Sequence, residues 1–206
     1  MSLYDRFLLS PMIDRMCGSP EVMEVRREIV PLAHGDVLEL GLGSGLNLGL
    51  YDPSRVRRVT GVDPGVHITA LAEARMREAP FEVELLTLSG EEVPAVDARF
   101  DSAVVTFTFC TIPNVYRALG EVRRLLKPGG RLYFVEHGLA PDPSVQRWQH
   151  RVEPLWKCLA GGCHLTRDTK RLLEDAGFRI EELRAGHAMP GPRIATWVTR
   201  GVAVPR

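Results

Sequence analysis

Apolar residues in this chain gather in short runs set apart by glycines, prolines and charges. Runs at 37–40, 56–62, 83–88, 102–107 and 132–136 have strand length. Helical spacing is expected between them at 67–78 and 115–126, with one more helix starting near Leu46. Lys127-Pro128-Gly129-Gly130 ends the 115–126 helix, because Pro128 cannot continue it and the glycines permit a turn. Strands alternating with helices predict a parallel sheet covered on both faces.

The two ends differ from this rhythm. Residues 1 to 33 read as helical, with Ser19-Pro20 opening a helix and Val22, Val25, Ile29 and Val30 forming an apolar stripe. Residues 142–159 read as an inserted lid helix carrying Trp148, His150 and Trp156, the two tryptophans as lid core. A helix over 166–176 follows, capped by Thr166 and Thr169 with Arg167 and Asp168 in solvent, and ended by Gly177. Runs 178–183 and 194–202 are both strand-like with no helix between them, so they are expected to pair antiparallel.

A length of 206 residues fits one domain with a full core. Residues 1–206 are taken as a single domain, with a helical cap at 1–35 and a lid insertion at 140–165. Lys plus Arg equals Asp plus Glu at 26 each, so no nucleic-acid partner is expected. Cys17, Cys110, Cys158 and Cys163 form no disulfide framework and no C-x-x-C pair, which points to a reducing cytoplasm. No signal peptide is expected, given Asp5, Arg6, Asp14 and Arg15, and no apolar run is long enough for a transmembrane segment. Oligomeric state is not legible.

The most informative stretch is Val37-Leu38-Glu39-Leu40-Gly41-Leu42-Gly43-Ser44-Gly45. An acid-ended apolar run leads into alternating glycines, which lets a nucleoside-bearing cofactor rest on bare backbone. The third glycine of the dinucleotide pattern would fall at Leu46, so a nicotinamide cofactor is disfavoured. Asp63 ends the second strand about 20 residues on, where a carboxylate can accept both ribose hydroxyls. Pro64-Gly65 offers no Arg for a 2′-phosphate. Ser89-Gly90-Glu91 follows the third strand and can clasp an adenine ring; alone it equally reads as a plain turn. Glu39 is a charge inside a strand and needs a partner, either a cofactor ammonium or a loop amide. The cofactor reading is S-adenosyl-L-methionine (SAM), leaving S-adenosyl-L-homocysteine.

Glu39 to Gly45, Val62-Asp63-Pro64, Ser89-Gly90-Glu91 and Leu126 to Gly130 resemble the successive motifs of class I SAM-dependent methyltransferases. The resemblance covers roughly residues 36 to 205. It implies a doubly wound, Rossmann-like α/β fold with a seven-stranded sheet ordered 3-2-1-4-5-7-6, strand 7 antiparallel. It also implies a cofactor set of Glu39, Gly41, Gly43, Gly45, Asp63, Pro64, Ser89, Gly90, Glu91 and Thr106. Ser89 stands where many such enzymes place an Asp on the adenine amino group. Leu50-Tyr51-Asp52-Pro53, Val105 to Ile112, Phe134 to His137, Trp148-Gln149, Pro154-Leu155-Trp156 and Gly162 to Arg167 are similar to the methyltransferase-like-seven group, the alkyl-thiol S-methyltransferases.

The resemblance implies methyl transfer from a sulfonium to a small-molecule acceptor, with an alkyl thiol favoured. The alternatives are a C- or O-methyltransferase of a quinone, phenol or natural product, and a non-catalytic SAM-binding or interaction module. Candidates on the acceptor side are Cys110, His137, His150 and His164, with Trp148. Cys110 and His137 follow strands 4 and 5 at the edge facing the cofactor, and His137 can serve as a base near neutral pH. A buried apolar cysteine and a hydrogen-bonded structural histidine are the competing readings of the same two residues. Cys158, Cys163 and His164 match no ordinary zinc spacing, so no metal is expected.

Overall fold

The computed structural model describes residues 10–65, 70–188 and 191–206. The helical reading of residues 1–9 and the expected helix start at 67–69 lie outside the described residues. Helices α1 (Ser10–Cys17) and α2 (Pro20–Ile29) precede strand β1 (Gly35–Leu40). The order continues β2 (Val56–Asp63), α3 (Ala70–Glu78), β3 (Glu82–Thr87), β4 (Phe100–Thr106), α4 (Val115–Leu125) and β5 (Leu126–His137). It ends with α5 (Pro143–Leu159), α6 (Thr169–Asp175), β6 (Phe178–His187) and β7 (Trp197–Pro205).

The seven strands form one sheet in the order β3-β2-β1-β4-β5-β7-β6. All pairs are parallel except β7, which runs antiparallel to both β5 and β6. The central strands are buried on both faces, and their side chains alternate between two cores. Leu38, Leu40, Ala103, Val105, Leu132 and Phe134 point to the face covered by Leu119 and Val122 of α4. Val37, Val104, Tyr133 and Val135 point to the opposite face, covered by Val25 and Ile29 of α2. Glu39 shares the parity of Val37, so a carboxylate stands among the apolar residues under α2.

Four local readings are corrected. No helix forms near Leu46; residues 43–50 make consecutive turns through Gly45 N–H to Leu42 O, Leu48 N–H to Gly45 O and Leu50 N–H to Asn47 O. The cause is a competing demand on Asn47, whose side chain is drawn under the sheet to Glu39 and Thr106. Lys127 to Gly130 is not a free turn: Leu126 already pairs with Phe100, and the register slips before Ser102 pairs with Arg131. Asp168, rather than a threonine, caps α6 by accepting from Arg171 N–H, while Arg167 reaches the Phe109 carbonyl. Trp148 is not lid core; it is 56% exposed, with the Arg151 guanidinium over its ring.

What docks α5 is Gln149, which is wholly buried. Its Oε1 accepts from Ala140 N–H at 3.0 Å, and its Nε2 donates to the carbonyls of Gly138 at 3.0 Å and Ile194 at 2.9 Å. One amide thus joins the end of β5, helix α5 and the turn before β7. Gln149→Ala leaves those three backbone groups without their partner, at a cost of about 2–4 kcal/mol. The expected outcome is a Tm lowered by roughly 5–15 °C in circular-dichroism melts; a shift below 2 °C would mean that α5 is held by something else.

Candidate active site

The sheet order reverses direction between β1 and β4, and a crevice opens there at the carboxyl ends of the strands. It holds a cavity of about 360 Å³, a size suited to a small ligand. The floor is the turn after β1, with Gly41, Gly43 and Asn47. One wall is Asp63 and Pro64 after β2 with Ser89 and Gly90 after β3. The other is Thr106 to Thr108, Thr111, Ile112 and Pro113 after β4, and Arg26 and Cys17 close the N-terminal side.

The glycines have different reasons to be glycines. Gly41 has φ +79°, and a Cβ there would run into the Thr108 side chain, so this glycine lets the loops after β1 and β4 close on each other. Gly43 has φ +55° and lines the cavity, and a Cβ there would meet nothing within 4 Å. Its missing side chain is therefore open space that a ligand can use. Gly45 belongs to the turn but not to the cavity lining.

Asp63 is 6% exposed. Its two oxygens accept N–H from Gly43 and Gly65, each at 2.9 Å. A carboxylate has about four acceptor positions, so two remain for a pair of hydroxyls. The same carboxylate also draws the glycine turn against β2. Glu91 turns away from the cavity to accept Asn114 N–H at 2.9 Å.

Glu39 finds the expected loop amide in the Asn47 side chain, and a phenol beside it. Its oxygens accept from Asn47 Nδ2 at 2.9 Å and from the Tyr51 hydroxyl at 2.7 Å. Asn47 also donates to Thr106 Oγ1 and accepts from Arg26, whose guanidinium lies 5.0 Å from the Phe107 ring centre. Arg26 reaches Thr106 as well, and its Nε has no hydrogen-bond partner among the described residues. Phe107 holds φ +53°, a strained conformation for a non-glycine residue at the cavity edge. Arg26, Asn47 and Phe107 were not among the sequence candidates. Arg26 could have been noticed: it sits four residues from Val22 and from Val30, on the apolar face of α2. Asn47 carried no comparable signal.

None of Cys110, His137, His150 and His164 lines the cavity. His150 is exposed. His164 Nδ1 pairs with Glu153 at 3.0 Å. Cys110 and His137 instead meet Cys163 outside the cavity lining, although Thr111, next to Cys110, and Gly161, two residues before Cys163, belong to that lining. Contact with Cys110, then with His137 and the Trp156 indole, makes Cys163 the acidic thiol of the group. Its contact with Cys163, and then burial, keeps Cys110 protonated. Burial works against charge on His137, but the neighbouring Cys163 sulfur outweighs it and raises the imidazole pKa. Glu136 is buried and pushed up to about 7, offset in part by the N–H groups of Thr108 and Phe109.

A methyltransferase domain model matches residues 38–134, the stretch that builds this crevice. Thiol S-methyltransferase TMT1B of Rattus norvegicus is 36% identical over 151 residues, covering 71% of this chain and 61% of the rat protein. The chain belongs to the class I SAM-dependent methyltransferases. Thiol S-methyltransferase TMT1A of Homo sapiens is 38% identical over 150 residues, 69% of this chain and 59% of the human protein. The chain thus spans about three-fifths of the length of these relatives. A SAM-dependent methyltransferase structure from Methanosarcina mazei has the same fold, with a TM-score of 0.63 and 24% identity over 83% of this chain and 93% of that one. SAM is the cofactor of the family.

Glu39 has a measurable cost. Burial pushes its carboxyl up to about 7, against a usual 4.5, while Tyr51 and Asn47 only partly offset this. A folded-state value above the unfolded one gives stability that is complete below about 4.5 and lost as pH rises through about 7. Without ligand, the ionised residue costs on the order of 3 kcal/mol. Glu39→Gln keeps the shape and removes the charge; its oxygen can still accept from Asn47, while its amide nitrogen donates to the Tyr51 hydroxyl, which can turn to accept. It is expected to melt above the parent at pH 8, with the gap closing towards pH 5; equal melting temperatures across that range would show that the charge is fully compensated.

Proposed function

We propose that this chain transfers the methyl group of SAM to a small apolar acceptor, an alkyl thiol. The observation that carries the reading is the space over Gly43, flanked by the Asp63 carboxylate and opening between Phe107, Ile112 and Pro113. The adenosyl part would lie between Asp63 and Ser89-Gly90, with the ribose hydroxyls on the two free acceptor positions of Asp63. Glu39, Arg26 and Asn47 would face the amino-acid end, where one carboxylate and one guanidinium match an ammonium and a carboxylate. Helices α1 and α2 act as the cap. Helix α5 and its following loop act as the lid, which reaches the cavity through Gly161.

The chemistry asks little of the protein beyond alignment and dryness. The sulfonium charge disappears as the methyl moves, so a crevice that excludes water and holds the two sulfurs in line gains rate from proximity. A thiol ionises far more readily than an alcohol, so the acceptor can arrive as thiolate without a dedicated base. The apolar loop after β4 suits an alkyl chain, and the thiol S-methyltransferase relatives support the choice of sulfur. The formal charge of zero supports a small molecule over a nucleic acid. Four free cysteines support a reducing, cytoplasmic setting. No helix among the described residues is long and apolar enough to cross a membrane.

The test is incubation of the purified chain with methyl-labelled SAM and separate alkyl thiols, phenols and amines, read by product mass. A methyl thioether from the thiols alone is expected; methylated phenol or amine with no thioether would reject the acceptor class. Asp63→Ala is expected to weaken SAM binding about 10- to 100-fold by calorimetry, the loss appropriate to charge-assisted hydrogen bonds. Unaltered affinity in a folded variant would remove Asp63 from the ribose.

A further inference from the structure

Three donors that the methyl-transfer reading leaves idle converge at one point. Cys110 lies in the loop after β4, His137 is the last residue of β5, and Cys163 lies in the loop after α5. Their ligating atoms all fall within 4.8 Å of one another. Cys163 Sγ is 2.7 Å from His137 Nε2. The two cysteines are 3% and 8% exposed, while the imidazole is half-buried. Buried cysteines ordinarily act as isolated small apolar groups. Two thiols and an imidazole from three separate elements form a donor set instead.

We propose that Cys110, His137 and Cys163 bind one thiophilic divalent cation, zinc foremost, through two thiolates and one imidazole, with the fourth position open to water or another exogenous ligand. Charge favours it: two thiolates neutralise a divalent ion, so the complex adds no net charge to a buried site. Donor softness favours it too, because sulfur and imidazole select zinc-like ions over magnesium or calcium, which want oxygen. Three protein ligands and one exchangeable position are the pattern of an open zinc site.

The size fits with one adjustment. Zinc held tetrahedrally, with Zn–S of about 2.3 Å and Zn–N of about 2.0–2.1 Å, puts the sulfurs about 3.8 Å apart and each sulfur about 3.6 Å from the nitrogen. These separations lie inside the observed 4.8 Å limit. The His137–Cys163 pair, at 2.7 Å, must open by about 0.9 Å. Gly161 and Gly162, both at positive φ, precede Cys163 and make that loop the adjustable member. The two cysteine loops are already tied, because His164 N–H donates to the Cys110 carbonyl at 2.9 Å.

Two neighbours suit a metal ligand better than a free thiol. The indole nitrogen of Trp156 is buried with no nitrogen or oxygen partner among the described residues and approaches the Cys163 sulfur. Glu136, next to His137, is fully buried, and its Oε2 has no partner among the described residues. Groups of this kind hold first ligands in place around metal ions. Two protons leave to solvent as the ion binds, one from Cys110 and one from the hydrogen-bonded Cys163–His137 pair; sulfur and nitrogen supply the electron pairs, and nothing is oxidised or reduced.

The experiment uses the whole chain, reduced with a phosphine and stripped by a chelator. Zinc is titrated against a chromophoric competitor, and cobalt(II) is added in a parallel sample. One equivalent of zinc is expected, with a near-ultraviolet thiolate-to-cobalt band and the visible bands of four-coordinate cobalt. Cys110→Ser and Cys163→Ser are each expected to weaken zinc at least about tenfold and to reduce the charge-transfer band. Cys158→Ser, at an exposed position, is expected to change neither. The proposal is overturned by a parent chain that binds no zinc while its thiols titrate as free, or by unchanged affinity in both serine variants. A Cys110–Cys163 disulfide in the phosphine-reduced protein overturns it equally. The cobalt spectrum of the parent decides the matter even if a variant fails to fold, and SAM calorimetry run beside it reports on the methyltransferase reading separately.

Discussion

A carboxylate buried within the first strand organises the carboxyl edge of this sheet. Glu39 is 1% exposed and has alternating apolar neighbours along its strand. Such a group must be tied down, and Asn47 and Tyr51 do so from the turn and the segment that follow β1. Asn47 is then linked to Thr106 at the end of β4 and to Arg26 of α2. One buried acid therefore links β1, the glycine turn, β4 and helix α2. The cavity is the space these four leave between them.

The same demand explains why the local structure departs from simple propensity. A helix beginning at Leu46 would carry its side chains around the helix axis and could not hold Asn47 beneath the sheet. Turns replace it, and the chain accepts poorer backbone bonding in exchange for a satisfied acid. Phe107 follows this logic on the opposite wall. Its positive φ turns the backbone so that the N–H groups of Thr108 and Phe109 both reach Glu136. Two buried acids, one at each side of the crevice, are each answered by an irregular loop.

Much of the architecture was legible because it rests on local signals. The alternating glycines, the acid ending the second apolar run and the two helix-free terminal runs are short-range patterns. They are enough to place β1, β2 and the antiparallel pairing of β6 with β7. The full sheet order came from family resemblance. Legibility ended where a residue's role depends on what topology places opposite it. Arg26 is a surface-type side chain until the sheet reveals that α2 lies over Glu39. Gln149 is an ordinary helix residue until its three backbone partners arrive from 138, 140 and 194. Cys163 follows the same rule: its sequence neighbours Cys158 and His164 gave no ligand set, while its true companions are 26 and 53 positions away.

The cost of Glu39 also bears on why such a residue stands in a strand at all. Ionised without ligand, it lowers stability, and an apolar residue of similar size would avoid that cost. On the proposed placement of the cofactor's amino-acid end beside Glu39, an incoming ammonium would reverse the balance by compensating the acid that burial leaves poorly solvated. Part of the favourable energy of binding would then be the relief of the cost of burying that charge. The glycine turn follows the same principle with space rather than charge: no atom lies within 4 Å of where a Gly43 side chain would begin, and a ligand seated there as proposed would supply the contacts. Binding sites of this kind are places where the folded chain is less stable than its sequence could have made it.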